Sequence, residues 1–150
     1  MHIVLIHPEI PQNTGSIARL CAGTDTPLHL VGTLGFSLAD RYLKRAGLDY
    51  WESVDLHRHA AVDEWLASLG GAPFWLFTAR DGRPYTDLRY GADDRLVFGC
   101  ESVGLPRELL DRFPERRVRI PVLPAIRSLN LSNAVSVALF EALRQRGWRV

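Results

Sequence analysis

Polar side chains that could do chemistry concentrate in three stretches of the 150-residue sequence, and each stretch follows a run of apolar residues. The stretches are PEIPQNTGSIAR (8–19), FGCESVGLP (98–106) and IPVLPAIRSLNLSN (120–133). Each combines glycine or proline with hydroxyl, amide or charged groups, which suits backbone that must approach a ligand closely. Because ligands of open parallel sheets bind at the carboxyl ends of strands, we expect the three loops to form a binding site.

The third stretch ends in a surplus of helix-capping residues. Ser128, Asn130, Ser132 and Asn133 follow directly after Arg127. Serine and asparagine side chains compete for backbone hydrogen bonds, so they suit helix ends better than helix interiors. Since one capping residue is enough to begin a helix, the surplus raises the question of what the other polar groups bind.

Other catalytic patterns fit poorly. The sequence contains neither G-x-G-x-x-G nor G-x-x-x-x-G-K-[ST], and Gly99 lies one residue too far from Ser102 for G-x-S-x-G. Cys100 could be a thiol nucleophile with a histidine base, but a small buried residue at a strand end is the simpler interpretation. His57 and His59 lack a third ligand, so a surface pair is favoured over a metal site.

Composition indicates one ordinary globular domain over residues 1–150. Apolar residues make up 47% and charged residues 23%, which argues against disorder. No apolar run approaches the roughly 20 residues that cross a membrane, and the first residues lack the features of a signal peptide. The two cysteines, Cys21 and Cys100, suit a reduced cytosolic protein, although a disulfide between them is conceivable.

Apolar runs alternate with amphipathic segments, which predicts an α/β fold: a mostly parallel sheet with helices on both faces. The predicted strands cover 2–6, 28–31, 73–79, 95–100 and 117–122. The predicted helices cover 14–21 with Asn13 as cap, 37–47, 61–69, a first turn at Pro106, and a last helix with an apolar stripe from Leu131 to Leu143.

Two features of the surface leave alternatives open. Val137 and Phe140 lie beside the apolar stripe of the last helix, so either its core face is wide or the helix contacts another subunit. Basic residues cluster in RYLKRAG (41–47) and RFPERRVR (112–119), either as solvated faces or as contacts to phosphates. With a net charge of +1, any nucleic-acid site must be a local patch.

Taken together, the three loops resemble the motifs of the SPOUT superfamily of RNA methyltransferases, in the same order and over nearly the whole chain. NTGSIARLCA resembles the first motif, LVFGCESVGLP the second and RIPVLPAIRSLNLSNAVSVALFEALRQ the third. LKRAGLDYW is similar to the minimal branch, the tRNA (cytidine/uridine) 2'-O-methyltransferases. Phe140 and Cys100 depart from that pattern, since relatives often carry tyrosine and proline there.

The resemblance implies a SPOUT-type fold whose last third forms a deep trefoil knot. It also implies a cytoplasmic homodimer that uses S-adenosylmethionine and no metal, and that releases S-adenosylhomocysteine. The implied partner is the anticodon stem-loop of tRNA, with leucine tRNAs as the substrates. The implied reaction is methyl transfer to the ribose 2'-hydroxyl of the wobble nucleotide.

The same resemblance assigns residues to roles. For catalysis it implies Arg19 at the ribose hydroxyl, with Asn13 and Ser128 nearby. For the cofactor it implies Phe77, Thr78, Gly99, Glu101, Gly104, Ile120, Ser128, Leu129 and Asn130. The candidates for RNA contacts are Lys44, Arg45 and Arg127. Because a guanidinium keeps its proton in proteins, we expect Arg19 to orient the substrate and stabilise developing charge rather than act as a base.

Two other functions stay open from the sequence. One is a knotted dimer that holds S-adenosylmethionine or RNA without transferring a methyl group. The other is a cysteine hydrolase that uses Cys100.

Overall fold

A seven-stranded sheet forms the centre of the computed structural model, which describes residues 1–39 and 50–148. The strands are β1 His2–Ile6, β2 Leu28–Val31, β3 Leu56–His59, β4 Phe74–Thr78, β5 Arg83–Pro84, β6 Arg95–Phe98 and β7 Arg117–Arg119. They lie in the order β3-β2-β1-β6-β4-β7-β5, and neighbouring strands are parallel. The predicted parallel sheet is confirmed.

Helices cover both faces of the sheet, as the apolar strands predicted. The helices are α1 Pro11–Gly23, α2 Val62–Ser68, α3 Arg107–Arg112 and α4 Leu131–Gln145. Helices α1 and α4 pack on the face that carries Ile3 and Leu5. Helices α2 and α3 pack on the other face, against Val4 and Ile6. Each central strand therefore buries both sets of alternating side chains, which explains why its sequence is apolar throughout.

Several predicted boundaries were wrong. Helix α1 begins at Pro11 rather than Thr14, because proline suits the first helical position, and Asn13 lies inside the helix instead of capping it. Pro106 precedes α3 as its cap instead of occupying the first turn. Most of the predicted helix 37–47 lies outside the described residues.

The strands near the candidate loops are shorter than predicted. Strand β6 ends at Phe98, because the backbone of Cys100 and Gly104 pairs to close a turn. Strand β7 ends at Arg119, shortly before Pro121, which has no N–H to donate to a ladder. The edge strand Arg83–Pro84 was missed, since two residues carry no periodic signal.

The last helix confirms the predicted stripe and decides one of the open alternatives. Leu131, Val135 and Leu139 are buried in the core, whereas Val137 and Phe140 are 39% and 48% exposed. The alternative that α4 has a wide core face is therefore wrong, because these two side chains are not buried within a single copy of the chain. No described helix is long and apolar enough to cross a membrane.

Three imidazoles form a hydrogen-bonded row across strands β1, β2 and β3. Nδ1 of His2 lies 2.8 Å from Nε2 of His29, and Nδ1 of His29 lies 2.9 Å from Nε2 of His59. His57 stacks on His29 at 4.5 Å between ring centroids and pairs with Asp55. The sequence identified His57 and His59 as a pair but missed His2 and His29, because cross-strand neighbours depend on register.

Burial keeps this row neutral. It lowers the pKa of His29 to about 3 and the pKa of His2 to about 4, with further lowering by His57 for the first and by Arg95 for the second. The pKa of His59 is also lowered, chiefly by burial and against the opposing charge of Glu64. Unfolded histidines take up protons below pH about 6.5, whereas the folded row resists protonation until lower pH.

The first prediction follows from this difference in proton binding. Stability is fully present above pH about 6.5 and is lost as the pH falls toward the folded pKa values, because the unfolded state binds more protons there. Between pH 7 and pH 5, His29 alone should lower the free energy of unfolding by about 2 kcal/mol. Urea denaturation at pH 7, 6 and 5 measures this loss. In His29→Gln, whose amide can still donate and accept, the loss should shrink by that amount. An unchanged pH dependence would contradict the prediction.

Candidate active site

A cleft of about 1070 Å³ opens at the carboxyl ends of β4, β6 and β7. The loops that line it follow these strands, and the amino end of α1 completes the wall with Ile10 and Asn13. All three loops singled out in the sequence therefore meet at one place. This is where a parallel sheet is expected to bind a ligand.

The residues that the sequence assigned to the cofactor lie together in this cleft. They are Phe77, Thr78, Gly99, Glu101, Gly104, Ile120, Ser128, Leu129 and Asn130. The apolar members form walls, and the polar members and the turn backbone supply hydrogen-bonding groups. Asn13 and Arg127 also line the cleft. Arg19 does not belong to this lining.

A chain of side-chain hydrogen bonds joins the three loops. Asn13 donates from Nδ2 to Oε1 of Glu101 at 3.0 Å and accepts at Oδ1 from Nδ2 of Asn130 at 3.0 Å. Oδ1 of Asn130 accepts from the backbone N–H groups of Ser132 and Asn133 at 2.9 and 3.4 Å. Asn13 is buried, so this chain satisfies an amide that would otherwise be costly to bury.

The two ends of this series of hydrogen bonds, Glu101 and the start of α4, fix the orientation of the Asn13 and Asn130 amides. An ionised carboxylate only accepts hydrogen bonds, so Asn13 must turn its NH₂ group toward Glu101. Its oxygen then faces Asn130, which must donate. Asn130 is left with its oxygen for the N–H groups at the start of α4, which can only donate. One arrangement of donors and acceptors satisfies every step.

Glu101 also caps α1 from a different loop. Its Oε2 accepts from the backbone N–H of Glu9 at 2.8 Å, and its Oε1 accepts from that of Ile10 at 3.1 Å. Helix α1 has no side-chain cap of its own and no acidic residue in its first turn. The carboxylate of Glu101 therefore supplies both the acceptors and the negative charge that favour this helix end.

These contacts explain the capping residues between Ser128 and Asn133. Asn130 is the cap of α4, and it binds Asn13 of the first loop at the same time. Oγ of Ser132 donates to Oδ1 of Asn130 at 2.6 Å. Ser128 is exposed and lines the cleft, where its hydroxyl can face a ligand.

The turn after β6 brings two stretches of backbone into close approach. The N–H of Cys100 donates to the carbonyl of Gly104 at 3.2 Å, and the N–H of Gly104 donates to the carbonyl of Cys100 at 2.9 Å. A Cβ at Gly99 would lie 2.0 Å from the carbonyl carbon of Gly104. Gly104 has a φ of +81° but open space where a side chain would lie.

Arg19 lies outside the cleft, in a separate shallow depression on the exposed side of α1. Its guanidinium lies 4.9 Å from the centre of the Tyr50 ring. Phe140 and Trp148 line the same depression, and both are exposed. Within one chain, Arg19 therefore does not meet Asn13 and Ser128.

The basic residues of the predicted clusters differ in exposure and in their contacts. Arg127 is exposed at the cleft, whereas Lys44 and Arg45 lie outside the described residues. In the segment 112–119, Arg112 pairs with Asp63 at 3.0 Å, and Arg116 lies over the ring of Phe74. Much of that cluster is thus engaged within the protein.

Arg117 and Asp81 line the cleft and bind each other, and the sequence did not predict this pair. Arg117 binds Asp81 and also contacts Asp111 at 3.2 Å. The hydrogen bond from Arg117 lowers the pKa of Asp81. The signal was hidden because these residues lie 36 positions apart.

Among the described residues, the surroundings of Cys100 do not favour a cysteine hydrolase. No histidine is found among the cleft-lining residues within 1–39 and 50–148. Sγ of Cys100 instead lies 3.7 Å from Oγ of Ser102 and 3.5 Å from the carbonyl of Gly104. Both cysteines are free, and burial raises the pKa of Cys21 to about 12.

In the part of the chain that the structure describes, no group of three possible ligands is arranged to hold a metal ion.

The second prediction concerns the tight turn. Gly99→Ala should lower the free energy of unfolding by about 3 kcal/mol, because its methyl group would meet backbone that cannot rotate away. Gly104→Ala is the matched control and should cost about 1 kcal/mol, from its left-handed backbone alone. Chemical denaturation of both variants measures these costs. A larger loss for Gly104→Ala would show that the close approach at Gly99 is not the constraint.

Comparisons with known proteins identify the family of this chain. A model of the SpoU rRNA Methylase family matches residues 1–140. A tRNA (cytidine(34)-2'-O)-methyltransferase of Methylovorus glucosotrophus is 50% identical over 144 residues, which cover 95% of this chain and 94% of the relative.

Solved structures share the same fold. One that concerns 2-OH methylation of C/U34 on tRNA superposes with a TM-score of 0.94 at 48% identity, over 99% of this chain and 97% of the other. The SpoU methyltransferase AviRb of Streptomyces viridochromogenes, in complex with AdoMet, superposes with a TM-score of 0.84 at 25% identity, over 97% of this chain and 60% of the other. The chain therefore belongs to the SpoU family of RNA methyltransferases, with relatives of high identity among the tRNA (cytidine(34)-2'-O)-methyltransferases.

Proposed function

We propose that this protein transfers a methyl group from S-adenosylmethionine to the 2'-hydroxyl of the wobble nucleotide of tRNA. The observation that carries the proposal is the meeting of the three motif loops in one cleft, tied together through Glu101, Asn13 and Asn130. Relatives named for this reaction at position 34 cover the same residues at close to half identity.

The cleft suits S-adenosylmethionine in size and chemistry. Phe77, Ile120 and Leu129 offer apolar contact for an adenine ring. The turn at 99–104 exposes backbone beside it, and Ser128 offers a hydroxyl. The lining carries charges of both signs, which fits a ligand with an ammonium group, a carboxylate and a sulfonium. Volume, apolar walls and polar groups therefore all support donor binding in this cleft.

The residues of this chain mainly position the reactants. When bound, S-adenosylmethionine supplies a methyl group on a sulfonium, so a C–O bond forms to the ribose as the C–S bond breaks. Ser128 and Asn13 lie near the reacting hydroxyl. Arg19 orients the ribose and its phosphate through its planar guanidinium. A phosphate oxygen or water accepts the hydroxyl proton, since Arg19 already carries its own. The sulfonium is an activated leaving group, so the reaction needs no metal.

A second copy of the chain would bring Arg19 to the reaction. Arg19 follows Asn13 by six residues, or about 9 Å along the helix, and lies on its exposed side. Exposed Phe140 and Trp148 line the same depression as Arg19, and Val137 is a further exposed apolar residue of α4. Large apolar side chains exposed together favour a protein contact, which supports a homodimer.

The strand order supports a trefoil knot in the last third of the chain. Strand β7 lies between β4 and β5, although β4 and β5 follow each other in the chain and are joined only by residues 79–82. That connection passes close to β7, since a Cβ at Gly82 would lie 2.5 Å from the carbonyl carbon of Arg117. The chain after β7 then continues into the cleft loop 120–130, as a threaded segment would.

The proposed partner is the anticodon stem-loop of tRNA. The proposed location of the protein is the cytoplasm. Arg127 is exposed at the cleft and offers a contact to phosphate, as do Lys44 and Arg45 in the proposal. Two subunits would give the RNA a larger surface than one small domain. Leucine tRNAs are the proposed substrates.

The third prediction is the activity itself. Incubation of the purified protein with labelled S-adenosylmethionine and bulk tRNA should label tRNA, with the methyl group on the wobble ribose. Nuclease digestion and mass spectrometry locate the product, and isolation of leucine tRNAs tests the substrate class. Donor binding without any transfer would favour the non-catalytic alternative. Alkylation of the thiols should leave the activity largely intact, whereas it would abolish a cysteine hydrolase.

The fourth prediction separates the shape of the Arg19 side chain from its charge. Arg19→Lys should lower kcat by about 100-fold while leaving donor affinity unchanged, because an ammonium lacks the planar pair of donors. Arg89→Lys is a control at an exposed arginine outside the site. Steady-state kinetics with tRNA and calorimetry with S-adenosylhomocysteine provide the two readouts. Near-normal turnover of Arg19→Lys would remove planar recognition as its role.

A further inference from the structure

Glu9 binds the turn of the second loop from the first loop. Its Oε2 accepts from the backbone N–H of Ser102 at 3.0 Å, and its Oε1 accepts from Oγ of Ser102 at 2.8 Å. Glu9 is not among the predicted site residues. It is nevertheless the second carboxylate that joins these two loops: Glu101 of the second loop binds the first loop, and Glu9 of the first loop binds the second.

The two glutamates bind each other's loops. Glu101 accepts from the backbone N–H of Glu9, while Glu9 accepts from the residue that follows Glu101. Hydrogen bonds to an ionised carboxylate are stronger than those between neutral groups. This reciprocal pair, Glu9 with Glu101, holds the two loops in one relative position.

The loop after β2 packs closely against the backbone of Pro8 and Glu9. The N–H of Gly35 donates to the carbonyl of Pro8 at 2.9 Å. A Cβ at Gly35 would lie 2.8 Å from Cα and from the carbonyl oxygen of Glu9. The loop at 32–39 therefore leaves the Glu9 backbone little room to withdraw from Ser102.

Ser102 lies in the middle of the turn that presents Gly99 and Glu101 to the cleft. The base of this turn is closed by the paired backbone of Cys100 and Gly104. Contacts at the base alone do not fix the tip, and Glu9 holds the tip through both donors of Ser102. Loss of the Glu9 carboxylate would remove both contacts at Ser102, so the position of the turn would depend on the contacts of Glu101 with Ile10 and Asn13.

We propose that Glu9 is a positioning residue that holds the 100–104 turn in the conformation that binds the methyl donor. This inference rests on the proposed function, because it assumes that the cleft beside the turn takes S-adenosylmethionine. Glu9 acts through Ser102 and Glu101 and contacts no reacting atom.

The test compares donor affinity with turnover. Glu9→Ala should weaken S-adenosylhomocysteine binding about tenfold by calorimetry and raise KM for S-adenosylmethionine similarly, because two hydrogen bonds are lost. The kcat at saturating donor should change less than about threefold, since the turn is restored once the donor is bound. Glu9→Gln should recover most of the affinity, because its amide can accept from the N–H and donate to the hydroxyl of Ser102.

A double-mutant cycle identifies the partner. Ser102→Ala keeps the N–H contact and should weaken binding about threefold, and Glu9→Ala with Ser102→Ala should bind no worse than Glu9→Ala alone. Glu108→Gln, at an exposed carboxylate of α3, is the matched control and should bind like the wild type. Additive effects, or affinity of Glu9→Ala within twofold of the wild type, would overturn the proposal.

The outcomes also separate this inference from the proposed function. Calorimetry uses no tRNA, so wild-type protein that fails to bind S-adenosylhomocysteine would contradict donor binding itself. Wild-type protein that binds normally, beside a Glu9→Ala variant that binds equally well, would contradict the positioning role alone. A drop in thermal midpoint without a change in affinity would assign Glu9 to stability only and would also overturn the inference.

Discussion

The site depends on one buried amide, that of Asn13, which must have both a donor and an acceptor partner. Glu101 accepts from it and Asn130 donates to it, so the first, second and third loops meet at a single side chain. A buried amide without those partners costs more free energy than its hydrogen bonds add. Loss of either partner would therefore leave a buried polar group of Asn13 unpaired.

This arrangement turns two helix ends toward the cleft. Glu101 accepts from the backbone N–H of Ile10 at the start of α1, and Asn130 caps α4, so residues that line the cleft bind backbone at both helix N-termini. Carboxylate and amide groups placed there offset the positive ends of the helices. The same residues thus stabilise the fold and shape the site, and a substitution at either would change both properties.

Patterns along the chain could predict what depends on near neighbours. Apolar runs predicted most strands of the sheet, and the stripe from Leu131 predicted the last helix. The motifs predicted the three loops that line the cleft. Contacts between distant residues gave no such signal. The capping of α1 by Glu101 joins residues more than 90 positions apart, and the partner of His29 depends on strand register. The wrong assignment of Asn13 as a cap has a local cause instead, since Pro11 begins the helix two residues earlier.

The crossing at β7 links the order of the chain to the cleft. Residues 79–82 join β4 to β5 while β7 lies between those strands, so the connection must pass over the backbone of β7, and Gly82 permits the approach. The loop that carries Ser128 and Asn130 begins directly after β7. Because that loop starts where β7 ends, the position of β7 in the sheet sets the point from which Asn130 reaches Asn13. The strand crossing and the hydrogen bond that joins the third loop to the first therefore belong to one continuous segment of the chain.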